Sequence, residues 1–256
     1  MSKCNSGRKK NYINTTKMIK KGERRVGFHS IESIIKNSPH KIKKLYLPYS
    51  RSDERINQLI RLSEENDINF EISQKLKKEP EAMIVNEENL NFKDLKNLLE
   101  KSTKKNLSIL ILDNVIDPRN LGACIRSAAV LEIDALIINK HHCAPLNDIA
   151  HSVSVGGAEI LEIFHVSNLI NCIKYLKDLN ISVFGLSEHA ENDYLSADFN
   201  QSCAIIMGSE EFGMRKKTLE SCDSLIKLND NKNFKSFNVS VATGIILAEV
   251  SRQRKC

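Results

Sequence analysis

No stretch of this chain approaches the roughly eighteen consecutive apolar residues that a membrane span requires, so a soluble, cytoplasmic protein is expected. No two cysteines are spaced as CxxC. The seven stand at positions 4, 124, 143, 172, 203, 222 and 256, an odd and scattered set that argues against a disulfide framework or a zinc site and suits a reducing compartment. Catalytic signatures of fixed spacing are missing too: there is no P-loop, no GxSxG, no HExxH, and no GxGxxG, which disfavours a nucleotide-dependent oxidoreductase. His141 and His142 are adjacent and point in different directions on regular structure, so they read as loop histidines and no metal is expected. No internal repeat is found.

What remains is a chain of 256 residues, enough for one large domain or two smaller ones with a real core. Its net charge of +6 is uneven. Residues 1–25 hold nine Lys or Arg against one Glu, whereas residues 107–256 hold fourteen against eighteen acids. The basic character therefore belongs to the N-terminal tail. Such an arm suits a polyanion through counterion release; charge alone leaves a solvated tail or an organelle transit segment open as well.

Periodicity divides the rest. Residues 1–23 read as unstructured. Residues 24–86 read as a small βα-type unit: a helix over "FHSIESIIKNS" with Ser30 as candidate N-cap, a strand "IKKLYLPY", a helix "ERINQLIRLSEEND" and a strand "INFEIS". Residues 87–106, charged and helical in the middle, read as a linker. From Leu107 to the end, apolar strands alternate with helices. "LSILILDNV" is a continuous apolar run, as in a parallel strand buried on both faces. The expected fold class is α/β with a mostly parallel sheet.

Three loops follow apolar strands, where open α/β sheets place ligands. In "DNVIDPRNLG", Pro118 constrains a turn, Asn120 is a candidate helix cap and Gly122 admits a second backbone. Arg126 lies one turn beyond Gly122 and Ala123 and can extend over that small-residue surface. The residues leave a bidentate phosphate contact and a structural ion pair open there. In "IMGSEEFGM", Gly208 and Gly213 bracket Glu210 and Glu211, as in a ligand loop or a solvated acidic turn. In "NFKSFNVSVATG", Ser236, Asn238 and Ser240 alternate with apolar residues just before the last helix. They can cap that helix or meet a bound polar ligand.

In order, "LDNVIDPRNLGACIRSAAVLEIDALII", "IIMGSEEFGMRKKTLESCD" and "SFNVSVATGIILAEVSRQR" resemble the three motifs of the SpoU (TrmH-like) RNA ribose 2′-O-methyltransferases, in the SPOUT class. The likeness covers residues 107–256 nearly continuously and, more weakly, residues 26–85. Within the family it is greatest to the bacterial 23S rRNA guanosine-2′-O-methyltransferases. The resemblance implies a C-terminal methyltransferase domain over 107–256 with a deep trefoil knot. It also implies a small N-terminal substrate-binding domain, like ribosomal protein L30, and a homodimer. S-adenosylmethionine would lie in the knot against Leu186, Gly208, Leu228 and Phe237. Asn120, Arg126, Glu210, Ser236 and Asn238 would form the catalytic set, with Arg126 as base or phosphate clamp. The substrate implied is a guanosine of 23S rRNA, in mature RNA or an assembly intermediate. The same reaction on tRNA or another rRNA site is the alternative, and a non-catalytic RNA-binding or ribosome-assembly protein a more distant one.

The chain departs from the family pattern at Phe237, where Leu is common, and at Glu211 and Phe212. It also lacks a histidine–glutamine–glycine signature near the end of the small domain, where "KKEPEAMIVNEE" is shortened.

Overall fold

The computed structural model describes residues 23–85, 89–209, 211–228 and 237–255. The basic tail before Glu23, and Glu210 and Ser236 of the expected catalytic set, lie outside the described residues.

A four-stranded sheet opens the chain, in the order β1-β4-β2-β3. It is built from β1 (Glu23–Val26), β2 (Ile42–Pro48), β3 (Phe70–Ser73) and β4 (Glu81–Ile84), with β2 and β3 parallel and the other pairs antiparallel. Helices α1 (Phe28–Asn37) and α2 (Glu54–Glu65) turn Phe28, Ile31, Ile34, Ile35, Ile56 and Leu59 onto it, closing a core of its own. Ser30 is not the cap of α1. Gly27, at φ 101°, precedes the helix, and Ser30 is buried inside its first turn. The span read as a linker carries α3 (Phe92–Lys101), capped by a reciprocal Asn91–Asp94 box. Its Leu95 and Leu99 are buried against the second sheet.

That sheet has seven strands, all parallel, in the order β7-β6-β5-β10-β8-β11-β9. They are β5 (Ser108–Leu112), β6 (Ala135–Asn139), β7 (Ile163–Val166), β8 (Ser182–Leu186), β9 (Asn192–Asp193), β10 (Cys203–Met207) and β11 (Ser224–Lys227). The helices are α4 (Pro118–Val130), α5 (Asp148–Ser154), α6 (Leu169–Asp178), α7 (Lys216–Glu220) and α8 (Val239–Lys255). Because side chains alternate along a strand, Leu110, Leu112, Ile205 and Met207 face α4 and α8, whereas Ile109, Ile111, Ala204 and Ile206 face α3 and α6. Both faces are covered, which is why these strands read as unbroken apolar runs.

The ends of α4 and α8 are fixed by polar contacts. Asp117, not Asn120, caps α4 by accepting from the Arg119 N–H at 2.8 Å. At the far end of α8, Arg254 donates to the carbonyls of Asn106, Leu107, Phe199 and Gln201 and to Ser108 Oγ. Gln253 accepts from the Phe199 N–H and donates to Ala197 O. The last turn of the described chain is thereby tied to the starts of β5 and β10. Among the described residues no helix is long and apolar enough to cross a membrane.

Candidate functional site

The carboxyl ends of β8, β10 and β11 open into one cleft of about 250 Å³. Leu186, the last residue of β8, lies on it with Ser187, Glu188 and His189. From β10 come Met207, Gly208, Ser209 and the returning strand of the loop, Glu211 to Met214; from β11 come Lys227 and Leu228. Phe237, Val239 and Ala242, at the start of α8, form the remaining wall. Leu186, Gly208, Leu228 and Phe237, three loops apart in sequence, thus share one surface.

The loop after β10 is shaped by two close contacts. Ser209 and Gly213 exchange backbone hydrogen bonds of 3.1 and 2.9 Å, and Ser209 Oγ accepts from the Phe212 N–H at 3.1 Å. The strand returning through Gly213 runs so near Gly208 that a Cβ there would lie 2.2 Å from Gly213 C and Met214 N. Only glycine fits. The loop is also tied from behind. Asp113, fully buried at the end of β5, accepts from Arg215 Nε at 2.8 Å and from its backbone N–H at 3.1 Å, while its own N–H donates to Met207 O. Asn114 Nδ2 adds a longer contact to Ser209 Oγ at 3.4 Å. Asp113 and Arg215 were not among the residues singled out from sequence. The position of Asp113 directly after an apolar strand was the available signal.

A second arrangement joins α4 to α8. Asn238 Nδ2 donates to Asn120 Oδ1 at 3.1 Å, and Asn238 Oδ1 accepts from Ser240 N at 3.0 Å, so Asn238 heads α8 while reaching α4. Asn120 is engaged across the site and does not act as a cap. Arg126 is exposed on α4, six residues further on, and no carboxylate among the described residues pairs with it. The surface expected beneath it differs from the sequence reading. Gly122 is covered by α5, where a Cβ would lie 2.6 Å from Ala150 O. What Arg126 adjoins is Gly157, whose hypothetical Cβ would stand 3.3 Å from the Arg126 Cα.

The cleft can do definite chemistry. Leu186, Leu228, Phe237 and Met207 offer apolar walls to a flat ring. Glu188 and Glu211 bring carboxylates suited to a cationic or hydroxyl-bearing ligand, and the glycine-tight loop lines the same cleft. Arg126 and the Asn120–Asn238 pair offer an anion contact and amide groups on the neighbouring helices.

A parallel sheet with a cleft at the carboxyl ends of its strands, where open α/β sheets place ligands, preceded by a small sheet-and-helix unit, defines a two-part α/β protein. Comparison with known proteins makes this specific. Residues 107–248 match the model of the SpoU rRNA methylase family, and residues 26–79 match that of the RNA 2′-O ribose methyltransferase substrate-binding domain. The chain is 32% identical to the 23S rRNA (guanosine-2′-O-)-methyltransferase RlmB of Shewanella oneidensis, covering 93% of this chain and 100% of that one. It is 36% identical to the protein of the same name from Pasteurella multocida, covering 89% and 97%. Among solved structures, the SpoU methyltransferase AviRb from Streptomyces viridochromogenes, in complex with the cofactor AdoMet, superimposes with a TM-score of 0.75. That match is at 20% identity over 92% of this chain and 91% of that one. The chain belongs to the SpoU rRNA methylase family.

Proposed function

We propose that this protein transfers a methyl group from S-adenosylmethionine to the ribose 2′-hydroxyl of a guanosine in 23S rRNA. The observation that carries the proposal is the convergence of Leu186, Gly208, Leu228 and Phe237 on one cleft beside the Asn120–Asn238 pair. It occurs in a chain that matches relatives of that activity along nearly their whole length. When bound, S-adenosylmethionine supplies an electrophilic sulfonium methyl. The residues present suit it: Leu186, Leu228 and Phe237 give its base apolar surface, the Gly208–Gly213 loop gives backbone partners, and Glu188 and Glu211 oppose its positive charges.

The substrate side falls to α4 and the start of α8. In-line attack by a ribose hydroxyl makes positioning a large part of the catalysis. Asn120 and Asn238, with Glu210 and Ser236 of the same motifs, orient the ribose. Arg126 holds the adjoining phosphate. A guanidinium keeps its proton at any ordinary pH, which favours a clamp that stabilises charge over a base that must first lose a proton.

Residues 24–86 serve as the substrate-binding domain, with the L30-like fold that two helices on a four-stranded sheet suggest. Residues 107–256 form the methyltransferase domain, with the C-terminal segment threaded as a deep trefoil knot and the active site completed in a homodimer. The work is cytoplasmic, and the basic tail before Glu23 adds electrostatic affinity for RNA. Incubation of the protein with methyl-labelled cofactor and 23S rRNA lacking its ribose methylations tests the reading. Label should enter one guanosine ribose, and Arg126→Ala should lower kcat by roughly a hundredfold with cofactor binding unchanged. If no rRNA is labelled and Arg126→Ala alters nothing measurable, the proposal is wrong.

A further inference from the structure

Outside the cleft, a buried polar cluster joins the small domain to the large sheet. Its centre is Glu159, in the single 3-10 turn Gly157–Glu159 that follows α5. Glu159 Oε1 accepts from three donors. His151 Nδ1, on α5, lies 2.9 Å away. Arg25 Nε on β1 and Ser30 Oγ on α1, both from the small domain, each lie at 3.3 Å. Arg25 is held in turn by Glu23 Oε2 at 2.7 Å. The side chains of His151, Arg25 and Glu159 are 7%, 9% and 11% exposed. Burial by itself would push the Glu159 carboxyl upward, but the His151 hydrogen bond and the charges of His151 and Arg25 hold it below its ordinary value.

The residues just before Glu159 give this cluster its direction. Gly156 has φ 89°, and a Cβ on it would stand 3.0 Å from His29 O and from Ser33 Cβ on α1. Ser33 Oγ donates to Gly156 O at 3.2 Å. Gly157 presses on α4 from the other side, with its hypothetical Cβ 3.3 Å from Arg126 Cα and 3.2 Å from Ala129 Cβ. A two-glycine strip of backbone therefore lies between α1 of the small domain and the turn of α4 that carries Arg126. Each domain has its own apolar core, separate from this seam. A buried ion pair is a poor source of net stability, because desolvation offsets the attraction, but its hydrogen bonds demand fixed directions.

We infer that Glu159 is a positioning residue: clamped by Arg25, Ser30 and His151, it fixes the small domain against the Gly156–Gly157 strip and so sets where RNA held by that domain meets Arg126. The inference rests on the methyltransferase reading. Its consequence is that loosening the clamp misplaces the ribose without disturbing the cofactor cleft, which lies on other loops.

The test is steady-state methylation of 23S rRNA by the full chain, with S-adenosylmethionine affinity measured in parallel by calorimetry. Glu159→Ala should lower kcat on rRNA by roughly tenfold to a hundredfold, the cost of misplacing reacting groups by up to about 1 Å, while cofactor affinity stays within about twofold of wild type. Arg25→Ala, which alters only the small-domain side of the seam, should reproduce the defect. Glu159→Gln keeps an oxygen at the same point and should recover most of the lost kcat, which a general loss of charge or stability would not allow. Wild-type kcat in both alanine variants would overturn the inference, as would a fall in cofactor binding in step with kcat, or unfolding of both variants. Wild-type protein that methylates rRNA while the variants match it sinks the clamp alone; wild-type protein that methylates no RNA sinks the underlying reading as well.

Discussion

Replacing Gly208 with alanine is the sharpest local perturbation of the cleft. The added Cβ would lie 2.2 Å from Gly213 C and Met214 N and 2.6 Å from Gly213 O. All three are backbone atoms, so no side chain can rotate away. An ordinary contact needs the returning strand to retreat by about 1 Å, a displacement of the size that costs overpacked sites about 1–3 kcal/mol. That retreat strains the paired Ser209–Gly213 hydrogen bonds, each worth about 1 kcal/mol net. If about 2 kcal/mol of this falls on the ligand-ready form of the loop, cofactor affinity drops by roughly thirtyfold. Gly213→Ala is the matched control. It sits in the same loop at φ 63° but has open space around its Cβ position, so only the left-handed backbone is penalised, by about 1 kcal/mol. Calorimetric titration of both variants with S-adenosylmethionine should place Gly208→Ala well below Gly213→Ala, and both below wild type. Equal affinities for the two variants would refute the reasoning that close approach shapes the cleft.

Three further outcomes follow from the packing. Asp113→Ala removes the buried partner of Arg215 and should cost about 2–4 kcal/mol in denaturant unfolding. Arg215→Ala should cost at least as much, because it leaves a fully buried carboxylate; a neutral result for either would show the pair to be idle. Arg254→Ala takes a donor from the carbonyls of Asn106, Phe199 and Gln201 and leaves that of Leu107 to the Cys203 N–H alone, and it should lower stability by about 3 kcal/mol. Arg254→Lys should rescue little of that loss, since an ammonium cannot span that fork of acceptors. Burial pushes the Cys172 thiol up to about 12 and that of Cys203 to about 11, so alkylation at pH 8 should spare both in the folded protein and reach them only on unfolding. Rapid labelling of either under native conditions would contradict the packing.

The large sheet was legible because its strands are buried on both faces and read as unbroken apolar runs, "LSILIL" and "CAIIM" above all. Strand β1 was not. Glu23-Arg24-Arg25-Val26 carries three charges in four residues; it is a strand through its pairing with β4, and its buried Arg25 is met by Glu159 and Glu23. Helix α5 escaped for a related reason: the residues that "DIAHSVS" buries are Ala150, His151 and Ser154, while Ile149 is exposed, and the helix is held by the Asn147 cap and by α4. The span read as a linker packs as α3 because Leu95 and Leu99 lie one turn apart on the face turned to the sheet.

The site divides in the same way. Leu186, Gly208, Leu228 and Phe237 are named by the family resemblance, and they share a cleft because strand ends are where the sheet gathers its loops. The turn at Pro118 offers Asn120 as a candidate helix cap, but Asp117 has the geometry for that role and Asn120 faces Asn238 instead. Local spacing cannot reveal a partner 118 residues away. The same holds for Glu159: its three donors come from α5, β1 and α1, and only the folded chain brings them to one oxygen.

The central claim is the reaction, and nucleotide-resolution mapping of ribose 2′-O-methylation in rRNA from cells with and without the gene tests it most directly. The account predicts that a single guanosine of 23S rRNA loses its 2′-O-methyl group in the deletion. It also predicts that the group returns with the wild-type gene and not with the Arg126→Ala form. An unchanged 23S rRNA methylation pattern in the deletion would contradict it.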